Sequence, residues 1–272
     1  MTLDEAFGRL HQLPALPNVV QEVAASFNAG EVDTDDLSRK IARDQGLTTK
    51  LLRVANSSFY GFPRRISSIH DAVVVMGLAG VRSLVLSPGL VHAFGAGTGG
   101  TLDRNQYWRR SFRVASYAKA IARLLRQPPE VAFTAGLLHD IGQLVLDICL
   151  QQEFAETLAK LPTFDNDLLA AERATLGFTH SELGAEVLRR WNFPTEIEHA
   201  VRDCHHASAL LTESLTVIVH LGICIEGEEP IPDVLTRLSQ EVRNQFPLDA
   251  QKLSAALPAR DELEAGIADL LA

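Results

Sequence analysis

The residues most capable of chemistry gather in Gly136-Leu137-Leu138-His139-Asp140-Ile141-Gly142. There a histidine and an aspartate stand side by side inside the apolar run from Ala132 to Leu150. An imidazole and a carboxylate at the end of a buried helical turn can share one metal ion, and the pair suits Zn, Fe, Mn or Ni. The same two groups can instead satisfy hydrogen bonds within a polar network. Among the nine histidines, His180, His205 and His206 fall with His139 in the second half of the chain, at predicted helix ends. With Asp140 they could assemble a nitrogen- and oxygen-rich site, and an ion held there would lower the pKa of a bound water and generate hydroxide near neutral pH. Residue chemistry leaves two readings open: a divalent metal of unknown identity, or a structural network with no cofactor.

The elements that would position these groups read as helices throughout, so the expected fold class is all-α. Leu3, Phe7, Leu10 and Leu13 follow helical spacing, and further helices are predicted over 18–27, 35–44 and 47–55. Residues 56–63 read as a turn-rich break. Ser68 then caps a helix that Gly77 ends, and the helix over 79–94 is expected to bend or break at Ser87-Pro88-Gly89. Gly95-Ala96-Gly97-Thr98-Gly99-Gly100 has no preceding strand and no following Gly-Lys-Ser/Thr, which favours a flexible connection over a phosphate-cradling loop. It divides the chain into an N-terminal lobe over 1–94, a connection over 95–103 and a C-terminal lobe over 104–272. In that second lobe a long helix over 104–125 precedes one that opens at Pro128-Pro129 and contains the His-Asp doublet. Helices over 167–176, 180–191, from Thr195 to about Cys204, 215–225, 234–246 and 261–271 complete the account. The last of these could pack on the second lobe or form a homodimer.

Composition narrows the class of partner. The 272 residues are 46% hydrophobic and 22% charged with a net charge of −9, ordinary for a globular protein. No run of Lys and Arg suggests a nucleic-acid groove, so direct nucleic-acid binding is not expected. The apolar stretch over 72–91 is interrupted by Gly77, Gly80, Arg82 and Pro88, which argues against a membrane span, and the first residues carry no leader pattern. Cys149, Cys204 and Cys224 are widely spaced, odd in number and free of CxxC spacing. They suit buried small hydrophobes in a reducing cytoplasm, the expected location.

Several strings in a fixed order go further. GLLHDIGQLVL is preceded by Tyr107-Trp108-Arg109-Arg110-Ser111 and followed by FTHSELGAEVLRRWNFP and AVRDCHH. Ahead of them stand LPALPNVVQEV, IARDQGLTTKLLRVANSSFYG and ISSIHDAVVVMGLAGVRSLVL. From about Leu10 to Ile225 the chain resembles the HDOD family, bacterial signalling domains related to HD-type metal-dependent phosphohydrolases and to HD-GYP cyclic-dinucleotide phosphodiesterases. The resemblance implies a two-lobed helical fold with an HD-like core in the C-terminal lobe. Catalytic HD proteins add to the doublet an earlier histidine and a distant aspartate. By position, the earlier histidine falls at or beside Arg110 and the aspartate near Ile223, with His220 close by; His139 and Asp140 are retained. His180, and His205 or His206, match later histidines of the family.

A guanidinium stays charged and cannot ligate a metal, so Arg110 is expected to pair with Asp140 in place of an ion. The resemblance therefore implies a non-catalytic signal-transduction module acting through contacts with signalling proteins, or through binding a cyclic dinucleotide or other nucleotide. The alternative is a residual metal-dependent phosphohydrolase using His139, Asp140, His180, His205 and His206. No receiver, kinase or DNA-binding segment is recognisable, so input and output are expected from separate proteins. Residues from about Glu226 onward carry no assignable motif.

Overall fold

The computed structural model describes residues 3–8, 16–27, 34–43, 45–57, 59–62, 64–95, 100–164, 167–206 and 212–271. Every regular element among them is helical, so the fold class is all-α. The first half contains α1 (Leu3–Phe7), α2 (Asn18–Ser26), α3 (Thr34–Arg43), α4 (Gln45–Ala55) and α5 (Ile69–Gly95). The second half runs through α6 (Arg104–Leu124), α7 (Pro129–Leu138), α8 (Ile141–Cys149), α9 (Gln151–Lys160), α10 (Leu168–Leu176), α11 (His180–Arg190), α12 (Thr195–Asp203) and α13 (Ser214–Glu226). Four shorter elements follow: α14 (Ile231–Arg237), α15 (Gln240–Gln245), α16 (Ala250–Ala256) and α17 (Arg260–Leu271).

Local chemistry explains where the helices that carry the site begin. The Asp103 carboxylate accepts from the backbone N–H of Asn105 and Gln106 and opens α6. Thr179 and Glu182 form a reciprocal capping box at the start of α11. Elsewhere tertiary packing overrides the local signals. Helix α5 breaks at Gly77, as expected, with φ 73°, but runs on through Pro88. Leu84, Val85, Leu86 and Leu90 around the proline are fully buried, and that apolar burial offsets the missing backbone hydrogen bond. The expected helix over 234–246 is split, because Leu238 is extended and the Ser239 hydroxyl accepts from Val242 N to start α15. Helices α9 and α16 had no clear signal. The expected positions Leu10 and Leu13 lie outside the described residues.

The main core draws on the whole chain. Val20, Leu51, Leu84 and Phe94 from the first half share one cluster with Trp108, Phe112, Phe133, Val201, Leu263 and Ile267 from the second. Helix α6 is its axis, packed against α7, α13 and α17. Two helical runs, Ile69–Phe94 and Pro129–Cys149, are long and apolar enough to cross a membrane by composition, a test that buried core helices also pass. The second is 89% buried within the protein, as befits a core element. The three cysteines are buried and free.

The connection between the halves is anchored at its far end. The fully buried Asp147 carboxylate on α8 accepts from the backbone N–H of Thr101 at 2.7 Å and of Leu102 at 3.1 Å, and pairs with Arg104 Nη2 at 2.6 Å. Arg104 Nη1 in turn donates to the Phe94 carbonyl at 2.8 Å, tying the end of α5 to the start of α6. Residues 100–103 are therefore held against α8 by charge-assisted bonds, where composition suggested flexibility. Residues 96–99 lie outside the described residues.

Candidate functional site

His139 and Asp140 do not lie within a helix, as expected, but form the junction between α7 and α8. Asp140 adopts φ −109° and ψ 17°, which breaks the helical run and turns its carboxylate toward α6, α11 and α12. The close approach of α8 to α11 requires Gly142: a Cβ there would collide with the His180 backbone oxygen. That contact brings His180, at the start of α11, up to the doublet.

Asp140 is the hub. Its Oδ1 lies 2.7 Å from His205 Nε2 and 3.3 Å from His180 Nε2. Its Oδ2 accepts from Arg110 Nη1 at 3.1 Å and lies 3.1 Å from His139 Nε2. Burial alone would raise this carboxyl, but His139, Arg110 and His205 together hold it well below the usual carboxylate range. His180 donates Nδ1–H to Glu172 at 2.9 Å. Burial disfavours the His180 cation, yet Glu172 and Asp140 raise the imidazole to about 10. Burial likewise opposes charge on His205, and the neighbouring Cys204 sulfur and Asp140 outweigh it, raising the ring to about 9. His139 differs. Its Nδ1 sits 2.8 Å from the Gly136 carbonyl, which can only accept, so Nδ1 carries the proton. Burial pushes this imidazole below its ordinary value, leaving a bare Nε2 outside hydrogen-bond geometry with any group.

Two expected positions lie elsewhere. His206 is exposed and its Nδ1 is 3.7 Å from Asp203, not from Asp140. Both histidines of the Cys204-His205-His206 turn follow α12, and of the two only His205 faces inward. His220 reaches away from the doublet to the Cys204 carbonyl at 2.8 Å. Ile223 on α13 is half-buried and packs against the main core. One helical turn beyond it, Glu226 supplies a carboxylate that takes guanidinium partners instead: Arg113 Nη2 at 2.6 Å and Arg110 Nε at 3.3 Å.

Glu172, Arg113, Glu226 and Glu264 belong to the site without having been anticipated. Glu172 is wholly buried on α10, and only a carboxylate inside an otherwise ordinary helix eight residues before His180 hinted at it. Glu264, on α17, pairs with Arg109 Nη1 at 2.5 Å and also with Arg113. Arg113 and Asp140 border a cavity of about 450 Å³ lined also by Leu102, Gln106, Tyr107, Arg109, Arg110 and Gln143.

The HDOD domain family matches residues 13–207, well over half of the chain. The chain belongs to the HDOD family. Among solved structures, a provisionally assigned phosphohydrolase from Shewanella amazonensis SB2B superimposes with TM-score 0.76 at 25% identity, covering 98% of each chain. An HDOD domain protein of unknown function from Geobacter sulfurreducens superimposes with TM-score 0.71 at 27% identity, covering 93% of this chain and 87% of that one. An uncharacterized protein of Treponema pallidum (strain Nichols) is 25% identical over 270 residues, 94% of this chain. The chain spans about half of that relative's length, 51%. The HDOD match ends at residue 207, so α13 to α17 lie beyond it.

Kinship with HD phosphohydrolases implies a divalent ion on the doublet. In this HDOD chain His139 Nε2, an Asp140 oxygen and His205 Nε2 lie within 4.8 Å of one another, a spacing that suits a metal. Charge does not suit it. The permanent charge of Arg110 sits on the same carboxylate, 3.1 Å away. No carboxylate stands at Ile223 to complete the set. The residues present do not fit a water-activating divalent ion.

Proposed function

We propose that this HDOD chain is a non-catalytic signal-transduction module of the bacterial cytoplasm, relaying a regulatory state through protein contacts or by binding a small nucleotide. One observation carries the reading: the Arg110 guanidinium is bonded to Asp140, where an HD hydrolase would place its metal. A cation fixed to the protein neutralises the carboxylate but has no open coordination position, so it cannot generate hydroxide. The site then serves as a charged network linking α6, α7, α8, α11 and α12, whose arrangement a bound partner can bias.

A second reading, residual metal-dependent phosphohydrolase activity, is favoured by the bare Nε2 of His139 and the metal-like spacing of its neighbours. Elemental analysis of the purified protein and turnover assays on nucleotides and cyclic dinucleotides, with Mn, Mg, Fe and Zn salts, separate the two. We expect no stoichiometric metal and no turnover above background. Stoichiometric metal with turnover that disappears in His139→Ala would establish the hydrolase instead.

A further inference from the structure

The cavity beside Asp140 has a composition that the signalling network does not use. Gln106, Arg109, Arg110 and Arg113 are spaced i, i+3, i+4 and i+7 on α6, so they form one stripe along one helix face. All four line the cavity, together with Tyr107, Gln143, Leu102 and the Asp140 carboxylate. The four α6 side chains, Tyr107 and Gln143 can donate hydrogen bonds, and three carry permanent charge. Arg113 is held by Glu226 from α13, and Arg110 by Asp140 and Glu226. Arg109, by contrast, takes its only carboxylate among the described residues from Glu264, which also reaches Arg113. The Glu264 side chain is one-third exposed, so water screens both of its pairs and little holds it there.

A second observation points to a missing acceptor. Tyr107 is 94% buried by its 6% residual exposure, and its hydroxyl has no hydrogen-bond partner. The nearby Ser111 hydroxyl donates to the Tyr107 backbone oxygen at 3.0 Å, and its lone pairs stay outside hydrogen-bond geometry with the phenol. Burial, reinforced by Asp140, raises the phenol above its ordinary value and keeps it a neutral donor. A buried donor without an acceptor costs about 1–3 kcal/mol, and a ligand oxygen entering this cavity would supply one.

We propose that this cavity binds the phosphate group of a small ligand, held by Arg109, Arg110, Arg113 and the Tyr107 hydroxyl, and that Glu264 of α17 is a built-in competitor which the phosphate displaces. Planar guanidinia in a row match the oxygens of a tetrahedral dianion better than those of a single carboxylate. At about 450 Å³ the cavity exceeds what inorganic phosphate fills and falls within the range of small-molecule sites, which favours a phosphate monoester such as a nucleotide. The proposal rests on the non-catalytic reading of the Asp140 site, since the ligand is held and not cleaved.

Isothermal titration of the full chain with inorganic phosphate and with adenosine and guanosine monophosphates tests it. Saturable binding is expected, tightened about ten-fold in Glu264→Gln, where the competing charge is gone, and weakened about ten-fold or more in Arg109→Gln. Arg109 holds no other carboxylate, so its loss leaves the Glu226 pairs in place; thermal unfolding confirms that the variant is folded. Tighter binding of a monophosphate than of inorganic phosphate assigns an organic ligand, and equal binding assigns free phosphate; both uphold the site. No saturable binding to either the wild type or Glu264→Gln, or binding indifferent to both substitutions, overturns it. Chromatography of the recovered nucleotide keeps the two hypotheses apart. Binding with phosphate released would defeat the non-catalytic reading and leave the site standing. No binding in a metal-free, inactive protein would defeat the site alone.

Discussion

Asp140 has no counterpart among the described residues: three side chains from other elements and that of its own neighbour converge on one buried carboxylate. Such clusters make stability depend on pH, with opposite signs for the partners. His180 titrates in the folded protein at about 10, against an ordinary 6.5. Its pairing therefore contributes fully below about pH 6.5 and is lost as pH rises through about 10. Asp140 is depressed, so its contribution is present above its ordinary 3.8 and is lost as pH falls toward its folded value. Denaturant midpoints should hold steady from about pH 4 to about 6.5 and decline from there toward about pH 10, and His180→Gln should flatten that limb. An unchanged limb in the variant would mean that His180 is not charged in the folded state. At this scale the doublet and the cation facing it were legible, because both stand in motifs with a fixed order. Choosing between His205 and His206 was not possible, since adjacent residues in a turn point to different sides. Glu172 and Glu226 were hidden because a buried carboxylate on a helix looks, in sequence, like a surface one.

Helices were legible where caps and periodicity agreed, as at Thr179-Glu182 and Asp103, and misread where packing decided. Pro88 predicts a break, yet the buried leucines on either side hold α5 together. The break that matters, at His139-Asp140, carries no proline and only a nearby glycine. Gly142 is there for a different reason, the contact of α8 with α11. Gly142→Ala should cost about 3 kcal/mol, because the added carbon meets backbone and neither helix can shift without moving Asp140 or His180. Thr179→Ala, which removes a cap on the same helix pair, should cost about 1 kcal/mol. Urea unfolding of the two variants measures the difference. Equal losses would show that the two helices can separate without strain.

Across the whole molecule, α17 closes a gap that the family match leaves open. Leu263, Ile267 and Leu270 join the main core, and a Cβ at Gly266 would lie 2.7 Å from Phe59 Cα, so this helix lies directly on the chain after α4. Its other face meets Arg109 and Arg113 on α6. A chain cut after Ala259 forfeits about 1.5–3 kcal/mol for each of the three buried side chains. It should unfold at markedly lower denaturant and bind an environment-sensitive hydrophobic dye, and an unchanged midpoint would place α17 outside the cooperative unit. The helix and its packing on the second lobe were legible from its apolar face, but its contact with Phe59 was not, because an amphipathic helix announces that it packs and not against everything it covers.

The position of α17 also sets the order of events at the ribosome. A chain is made from its N-terminus, and its domains ordinarily close as they emerge. Here Phe59 and the stripe of arginines on α6 are synthesised long before the residues that cover them. Until residues 260–271 leave the exit tunnel, the nascent protein presents an apolar strip beside an Arg109 that lacks its Glu264 partner. That makes it a target for chaperones during a window that closes only when α17 docks.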